Sequence, residues 1–194
     1  MKKVALLLAV AMLGLAGCGG DDGSEGAGAE QPTVAAGEVP FDRAFIDAMV
    51  PHHQAAIEIA REAKEAGLSE PELVKIADDI IASQQAQIDQ MLAWREQWFG
   101  STEREPQAAA LEVLGLSPAE AATQHSSTDL ATGADVNQAF AGIMLGHHTG
   151  VIRMAELAEE RTGHDELKTL AGDIIAAQQL EIDTIMAYFM GGHG

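Results

Sequence analysis

The chain contains a single cysteine among its 194 residues, Cys18, so no disulfide can form within it. The same scarcity excludes a zinc site built from several thiolates. Lys and Arg number only 11 against 30 Asp and Glu, which gives a net charge of −19 and argues against binding to nucleic acid or to anionic lipid. The sequence also lacks a Gly-rich phosphate loop and a basic stripe. The features that can indicate a function are therefore the helical patterns, the histidines and the methionines.

The N-terminal apolar run, Val4 to Leu15, is too short to span a membrane. It has about a dozen residues, whereas a transmembrane helix needs roughly 20. Two lysines precede the run, as in a secretory signal. The run ends in Leu15-Ala16-Gly17-Cys18, which is similar to a bacterial lipobox. We therefore predict a lipoprotein signal peptide over 1–17 and a lipidated Cys18; the alternative is an ordinary signal peptide with a chance cysteine.

Residues 18–38 combine the predicted lipidated cysteine with a stretch of Gly, Ala, Asp and Glu that has almost no large apolar side chains. Such a composition predicts a flexible acidic tether rather than a packed element. Residues 39–194 have the length of one domain. We therefore expect an extracytoplasmic domain that contacts the membrane only through a lipid anchor, in the periplasm or at the cell surface.

The sequence repeats itself in two registers. Aligning Phe45 with Phe140 at an offset of 95 also matches Met49/Met144, His52/His147 and His53/His148. At an offset of 94, nine of the 16 positions in 77–92 are identical to their partners. The two registers predict duplicated copies over about 40–99 and 135–190.

Each copy has the apolar pattern of a helical hairpin. Apolar residues at 45, 49, 56, 60 and 63 follow one helical stripe, and positions 73, 77, 80, 84, 88 and 91 follow a second. No segment alternates with period two, so strands are not expected. We predict an all-α fold, a ferritin-like four-helix bundle of two duplicated hairpins joined by a long crossover.

Capping signals mark where these helices begin. Ser69 with Glu72 has the spacing of a capping box at the start of the second helix, and Asp135 can cap the third. Ser117 with Glu120 has the same spacing within the crossover, where it predicts a short helix.

Each copy carries the pattern Met-x-x-His-His inside the stripe of its first helix. Residues three and four apart share a helix face, so the thioether and an imidazole of each copy point the same way. Burying imidazoles costs free energy unless they are bonded. Thioethers with imidazoles suit Cu(I), and imidazoles also accept Cu(II) or Zn(II). The pattern predicts metal ligands, with Cu(I) favoured, at Met49, His52, His53, Met144, His147 and His148.

Three further residues are candidates for the site. Gln84 and Gln178 lie on the stripes of the second helices, where a buried amide needs a partner, so we predict that they orient the imidazoles by hydrogen bonds. Met154 lies seven residues after His147 on the same face and is an additional candidate ligand. The Glu-x-x-His pair of di-iron bundles is missing from every helix, which argues against ferroxidase chemistry.

Taken together, Phe45, Met49-Val50-Pro51-His52-His53-Gln54 and the segment 80–88 resemble the CopM-like family of bacterial periplasmic copper-binding proteins, a family of domains of unknown function. The resemblance covers about residues 40–194, in two copies. It implies a ferritin-like bundle that binds copper through Met and His and contributes to copper tolerance. Two positions depart from the family pattern, Ile59 in place of Met and Leu145-Gly146 in place of Ile-Pro, so the two copies need not be equivalent.

These observations favour a lipid-anchored protein that sequesters copper or hands it on. We expect no enzyme, because no nucleophile–base pair or carboxylate dyad recurs in both halves. The alternative is a non-catalytic helical interaction module in which the paired histidines only satisfy hydrogen bonds in the core. The sequence leaves open whether the two motifs form one site or two.

Overall fold

The structure is a computed structural model that describes residues 40–124, Leu130 and residues 135–191. Two hairpins of long helices account for most of these residues. The first consists of α1 (Phe41–Glu65) and α2 (Pro71–Phe99), and the second of α4 (Val136–Arg161) and α5 (Asp165–Met190). A short helix, α3 (Gln107–Leu114), lies in the crossover between them. The predicted all-α class is confirmed.

The two hairpins meet through α1 and α4. Within each hairpin the two helices pack along their length, whereas α2 makes only slight contact with α4 and α5. The repeat-equivalent Phe45 and Phe140 are both fully buried. Burying a side chain of this size stabilises a fold by roughly 1.5–3 kcal/mol. Every position of the two stripes predicted for the first hairpin is buried. The α1–α4 interface, which contains both motifs, is therefore the centre of the bundle.

Two of the three predicted caps form, with differences. Asp135 caps α4 by accepting a hydrogen bond from the backbone N–H of Asn137. Ser117 and Glu120 form their capping box, but it leads into a series of turns, and the helix of the crossover lies earlier, at α3. The capping box predicted from Ser69 and Glu72 is absent. The side-chain oxygen of Asn137 accepts instead from the backbone N–H groups of Ser69 and Glu70, the two residues before α2.

The first part of the crossover is tied to α1 at Asp47, a residue that also forms a buried ion pair with α2. Arg95 of α2 donates to both carboxylate oxygens of Asp47, at 2.5 and 3.1 Å. The same carboxylate accepts from the backbone N–H of Glu105 at 3.2 Å, and Gln107 donates to the carbonyl of Ala48 at 3.0 Å. Asp47 aligns with Gly142 in the second copy. These bonds bring the crossover onto α1 just before its motif.

No helix among the described residues is long and apolar enough to cross a membrane. The predicted signal peptide, the lipidated Cys18 and the acidic tether lie outside the described residues, as do His125 and His193. The duplication and the ferritin-like topology stay predictions.

Candidate metal centre

The four motif histidines lie at the α1–α4 interface, and each is at most 2% exposed. We call His52 and His147 the inner histidines and His53 and His148 the outer histidines. The inner rings are in contact, with centroids 3.8 Å apart and planes at 58°. Nε2 of His147 also donates to the backbone carbonyl of His52 at 3.1 Å. The structure thus brings the two motifs into one cluster, although their sequence positions differ by 95.

Each of the other three rings also donates from Nε2 to an oxygen. His52 donates to the carbonyl of Ala121 at 2.7 Å and His53 to Oε1 of Gln87 at 2.8 Å. His148 donates to a carboxylate oxygen of Glu181. An oxygen without a hydrogen can only accept, so in the neutral form of each ring these contacts place the proton on Nε2 and the lone pair on Nδ1.

The Nδ1 atoms are the unusual feature of the cluster. Those of His53, His147 and His148 are buried and have no hydrogen-bond partner. Leaving a buried acceptor unsatisfied costs about 1–3 kcal/mol, and native structures contain few such groups. These three nitrogen atoms are therefore free to act as metal ligands, and hydrogen bonding within the core does not account for them.

Burial favours the neutral form of His53 and His147. Desolvation, followed by the charge of His52, lowers the pKa of His53 to about 3, although its hydrogen bond to Gln87 acts in the other direction. Desolvation also lowers the pKa of His147 well below its ordinary value, and the charges of the other three motif histidines add to the effect. Deprotonated imidazoles are the form that binds metals, and here they are available at neutral pH.

The partners of the outer histidines differ from those expected from the sequence. Gln84 is buried, but neither of its side-chain polar atoms makes a hydrogen bond, and Oε1 of Gln178 has no partner either. The imidazoles are held instead by Gln87 and Glu181, which lie three residues later, almost one turn along the same helix face. Gln84 thus makes no bond to an imidazole in this structure, and for Gln178 the expectation stays a prediction.

Gln87 and Glu181 were not predicted as partners of the histidines, although the sequence contains a pattern that marks them. They occupy equivalent positions at the offset of 94, and both are polar residues that follow the buried glutamines by three positions. A polar residue at that spacing, repeated in both copies, could have been singled out as a second candidate on each helix.

The three candidate thioether ligands are buried in the hydrophobic core. Met49 and Met144 are inaccessible to solvent, and so is Met154, whose counterpart Ile59 is buried as well. Among the residues that the structure describes, no three His, Cys, Asp or Glu side chains are grouped closely enough to hold one ion. Within this part of the chain, one ion could therefore be held by at most two of these nitrogen and oxygen side chains.

The crossover covers the inner histidines. We call residues 117–124 the strap; Ala121 accepts from His52, and Ala122 has a positive φ of 50°. The strap backbone lies so close to Gly150 of α4 that a Cβ there would be 2.2 Å from the carbonyl oxygen of Ala121. Between the strap and the inner histidines lies a cavity of about 20 Å³, enough for one water-sized occupant.

Fold and site together define a helical bundle that buries a paired histidine–methionine cluster. The family model described as Domain of unknown function (DUF305) matches residues 42–189, and the chain belongs to this family. A search of curated proteins found no match.

Solved structures of related proteins share the fold. CopM in its Cu(I)-bound form is 30% identical, with a TM-score of 0.66; the alignment covers 81% of this chain and 100% of that one. CopM in its Cu(II)-bound form is 29% identical, with a TM-score of 0.61, covering 77% and 96%. A DUF305 protein from Streptomyces coelicolor, 22% identical with a TM-score of 0.66 and covering 75% and 90%, is similar in fold.

Proposed function

We propose that this chain is an extracytoplasmic, lipid-anchored copper-binding protein that sequesters copper or hands it on, and that it has no catalytic activity. The observation that carries the proposal is the set of buried, unpartnered Nδ1 atoms on His53, His147 and His148. Bound copper would turn these unsatisfied acceptors into ligands, with at most two of the imidazoles on any one ion, and remove the cost of leaving them unsatisfied. Related CopM structures hold Cu(I), Cu(II) or Ag, which supports the choice of metal.

The proposed ligands are the six motif residues, with Met154 as an additional thioether. Burial favours the neutral form of His53 and His147, the thioethers are buried, and thioether with imidazole is the donor set that selects Cu(I). Cu(II) and Zn(II) are the alternative ions, since imidazoles bind both. The net charge of −19 adds a general attraction for cations. The ligands are Met49, His52, His53, Met144, His147 and His148.

A second candidate is a non-catalytic helical interaction module in which the histidines are structural. One observation favours it: every motif histidine already donates from Nε2 to an oxygen, and all four of these bonds join separate elements of the fold. This function leaves the Nδ1 atoms of the outer histidines and of His147 unexplained. Metal would then change neither the stability nor the spectra of the protein.

The deciding experiment is an anaerobic Cu(I) competition titration of the purified full chain against a chromophoric chelator. All variants carry Cys18→Ser, so that the one thiol of the chain cannot bind the ion. The parent is compared with His52→Ala/His147→Ala and with Met49→Leu/Met144→Leu. His164→Ala is the matched control, because His164 is the one described histidine outside the motifs, and its Nδ1 already contacts Asp42.

Competition by the parent and by the control, lost in the histidine double variant, supports the proposal. Far-UV circular dichroism must show that the double variant keeps its helices. Failure of the parent to compete for Cu(I), Cu(II) or Zn(II) would contradict the metal-binding function and support the helical interaction module. Turnover of a redox substrate by the copper-loaded protein would contradict the proposal that it is not an enzyme.

The lipid anchor is tested separately. We expect the parent expressed in bacteria to sediment with the membrane fraction and to incorporate labelled fatty acid, and Cys18→Ser to do neither. Label in the cysteine-free variant would contradict lipidation at Cys18.

A further inference from the structure

The two outer histidines have partners of different charge at equivalent positions of the repeat. Gln87 and Glu181 are related by the offset of 94. Gln87 offers a neutral amide oxygen to His53, whereas Glu181 offers a carboxylate to His148. Apart from this charge the two contacts are alike, since each runs from Nε2 of a fully buried ring to a side chain of the hairpin's second helix.

The carboxylate of Glu181 is well placed to influence an ion on the other side of the ring. Its side chain is only 15% exposed, and the His148 side chain is inaccessible to solvent. Charges in such surroundings are screened much less than surface charges. A histidine that donates to a carboxylate is also a more basic ligand than one that donates to a neutral group, and its ring is held in one tautomer.

We propose that Glu181 is a positioning residue which, through His148, makes the α4–α5 half of the centre bind Cu(II) more tightly, relative to Cu(I), than the α1–α2 half. The inference rests on the proposed function and adds an oxidation-state preference that differs between the two halves. Its physical basis is that a fixed negative charge attracts a divalent ion twice as strongly as a monovalent one at the same distance. His53, held by Gln87, lacks this contribution.

The test uses the internal repeat, because the residue found in one half can be introduced at the equivalent position of the other. Glu181→Gln gives the second half the amide of the first, and Gln87→Glu gives the first half the carboxylate of the second. Asp183→Asn is the matched control: it removes the same charge from α5, two residues away, where the carboxylate accepts from Gln179 rather than from a histidine. Affinities for Cu(I) and Cu(II) are measured on the full chain with Cys18→Ser.

We expect Glu181→Gln to lower Cu(II) affinity by about 10-fold or more and Cu(I) affinity by less. A tenfold fall in the Cu(II)-to-Cu(I) affinity ratio raises the reduction potential of the bound copper by about 59 mV. Gln87→Glu is expected to shift the ratio in the opposite direction, and Asp183→Asn to leave it near the parent value.

A measurement on the metal-free protein tests positioning independently. In ¹⁵N spectra of the imidazoles, His148 should be an Nε2–H tautomer in the parent and in Glu181→Gln, whose amide can still accept. Glu181→Leu removes the acceptor and should release the ring into a mixture of tautomers.

The outcomes separate the inference from the function on which it rests. Absence of copper binding by the parent overturns the proposed function. Copper binding by the parent with the same Cu(II)-to-Cu(I) ratio in Glu181→Gln, Gln87→Glu and Asp183→Asn overturns the inference alone. An unchanged tautomer in Glu181→Leu also contradicts the positioning role.

Discussion

His147 donates from Nε2 to the main-chain carbonyl of His52, and the two rings lie with their centroids 3.8 Å apart. Because His52 is on α1 and His147 is on α4, the contact between the two hairpins is also a contact between the two motifs. Packing of α1 against α4 therefore also brings the two inner histidines together.

We expect silver to stabilise the folded protein through this cluster. Ag(I) is a redox-inert probe for a Cu(I) site, and a ligand that binds only the native state at 1,000 times its Kd adds about 4 kcal/mol. Differential scanning calorimetry should show a higher Tm for the parent with Ag(I) and no shift for His52→Ala/His147→Ala. An equal rise in both proteins would assign the binding to surface groups.

The stability of the metal-free protein should fall as the pH is lowered below about 6.5. The pKa of His53 is about 3 in the folded protein and about 6.5 when unfolded, so below 6.5 the unfolded state binds a proton that the native state does not. The loss approaches about 1.4 kcal/mol per pH unit for this group and continues down to about pH 3. Urea unfolding from pH 7 to 4 should give a shallower dependence for His53→Gln than for the parent; identical slopes would contradict the lowered pKa.

Gly150→Ala should destabilise the protein, because the new methyl group would meet the strap backbone 2.2 Å away. Overpacking of this kind costs typically 1–3 kcal/mol. Gly142→Ala is the matched control on the same helix, where a Cβ meets nothing within 4 Å. It should stabilise α4 by up to about 1 kcal/mol. Denaturant unfolding of both variants should therefore give changes of opposite sign, and two changes of the same sign would contradict the close approach of the strap.

Breaking the buried ion pair between Asp47 and Arg95 should lower the free energy of unfolding strongly. Asp47→Ala leaves the guanidinium of Arg95, itself 1% exposed, without its carboxylate, and such a loss costs about 3–5 kcal/mol. Asp78→Ala, which removes the partner of Lys64 in an exposed pair, should cost about 1 kcal/mol or less. Chemical unfolding of the two variants measures the difference; similar small losses would show that the buried pair contributes little.

The helices and the core were predictable because their signals are local. The stripes that begin at Phe45 and at Leu73 are repeated at helical spacing, and all of their positions are buried. The position of the site on the bundle's central helices follows from the same pattern, since the motifs lie inside a stripe.

The features that the sequence did not predict correctly, or did not predict at all, depend on contacts between segments that are distant in the sequence. Asn137 replaces the expected cap at Ser69 because α4 begins beside the start of α2, which no local pattern reveals. Gln84 and Gln87 lie three residues apart on one face, so spacing alone could not decide which of them reaches His53. The strap over His52 and the pair between Asp47 and Arg95 join positions 69 and 48 residues apart.

The outer histidines are bonded within their own hairpins, whereas the bond between the inner histidines joins the two hairpins. His53 and His148 are each held by the second helix of their own hairpin, whereas His147 is held only by the opposite hairpin. If the hairpins move apart, the inner pair is lost first, while each outer histidine keeps its partner. The histidine cluster can therefore come apart in two stages: the inner pair separates when the hairpins part, and the outer histidines keep their partners for as long as each hairpin stays intact.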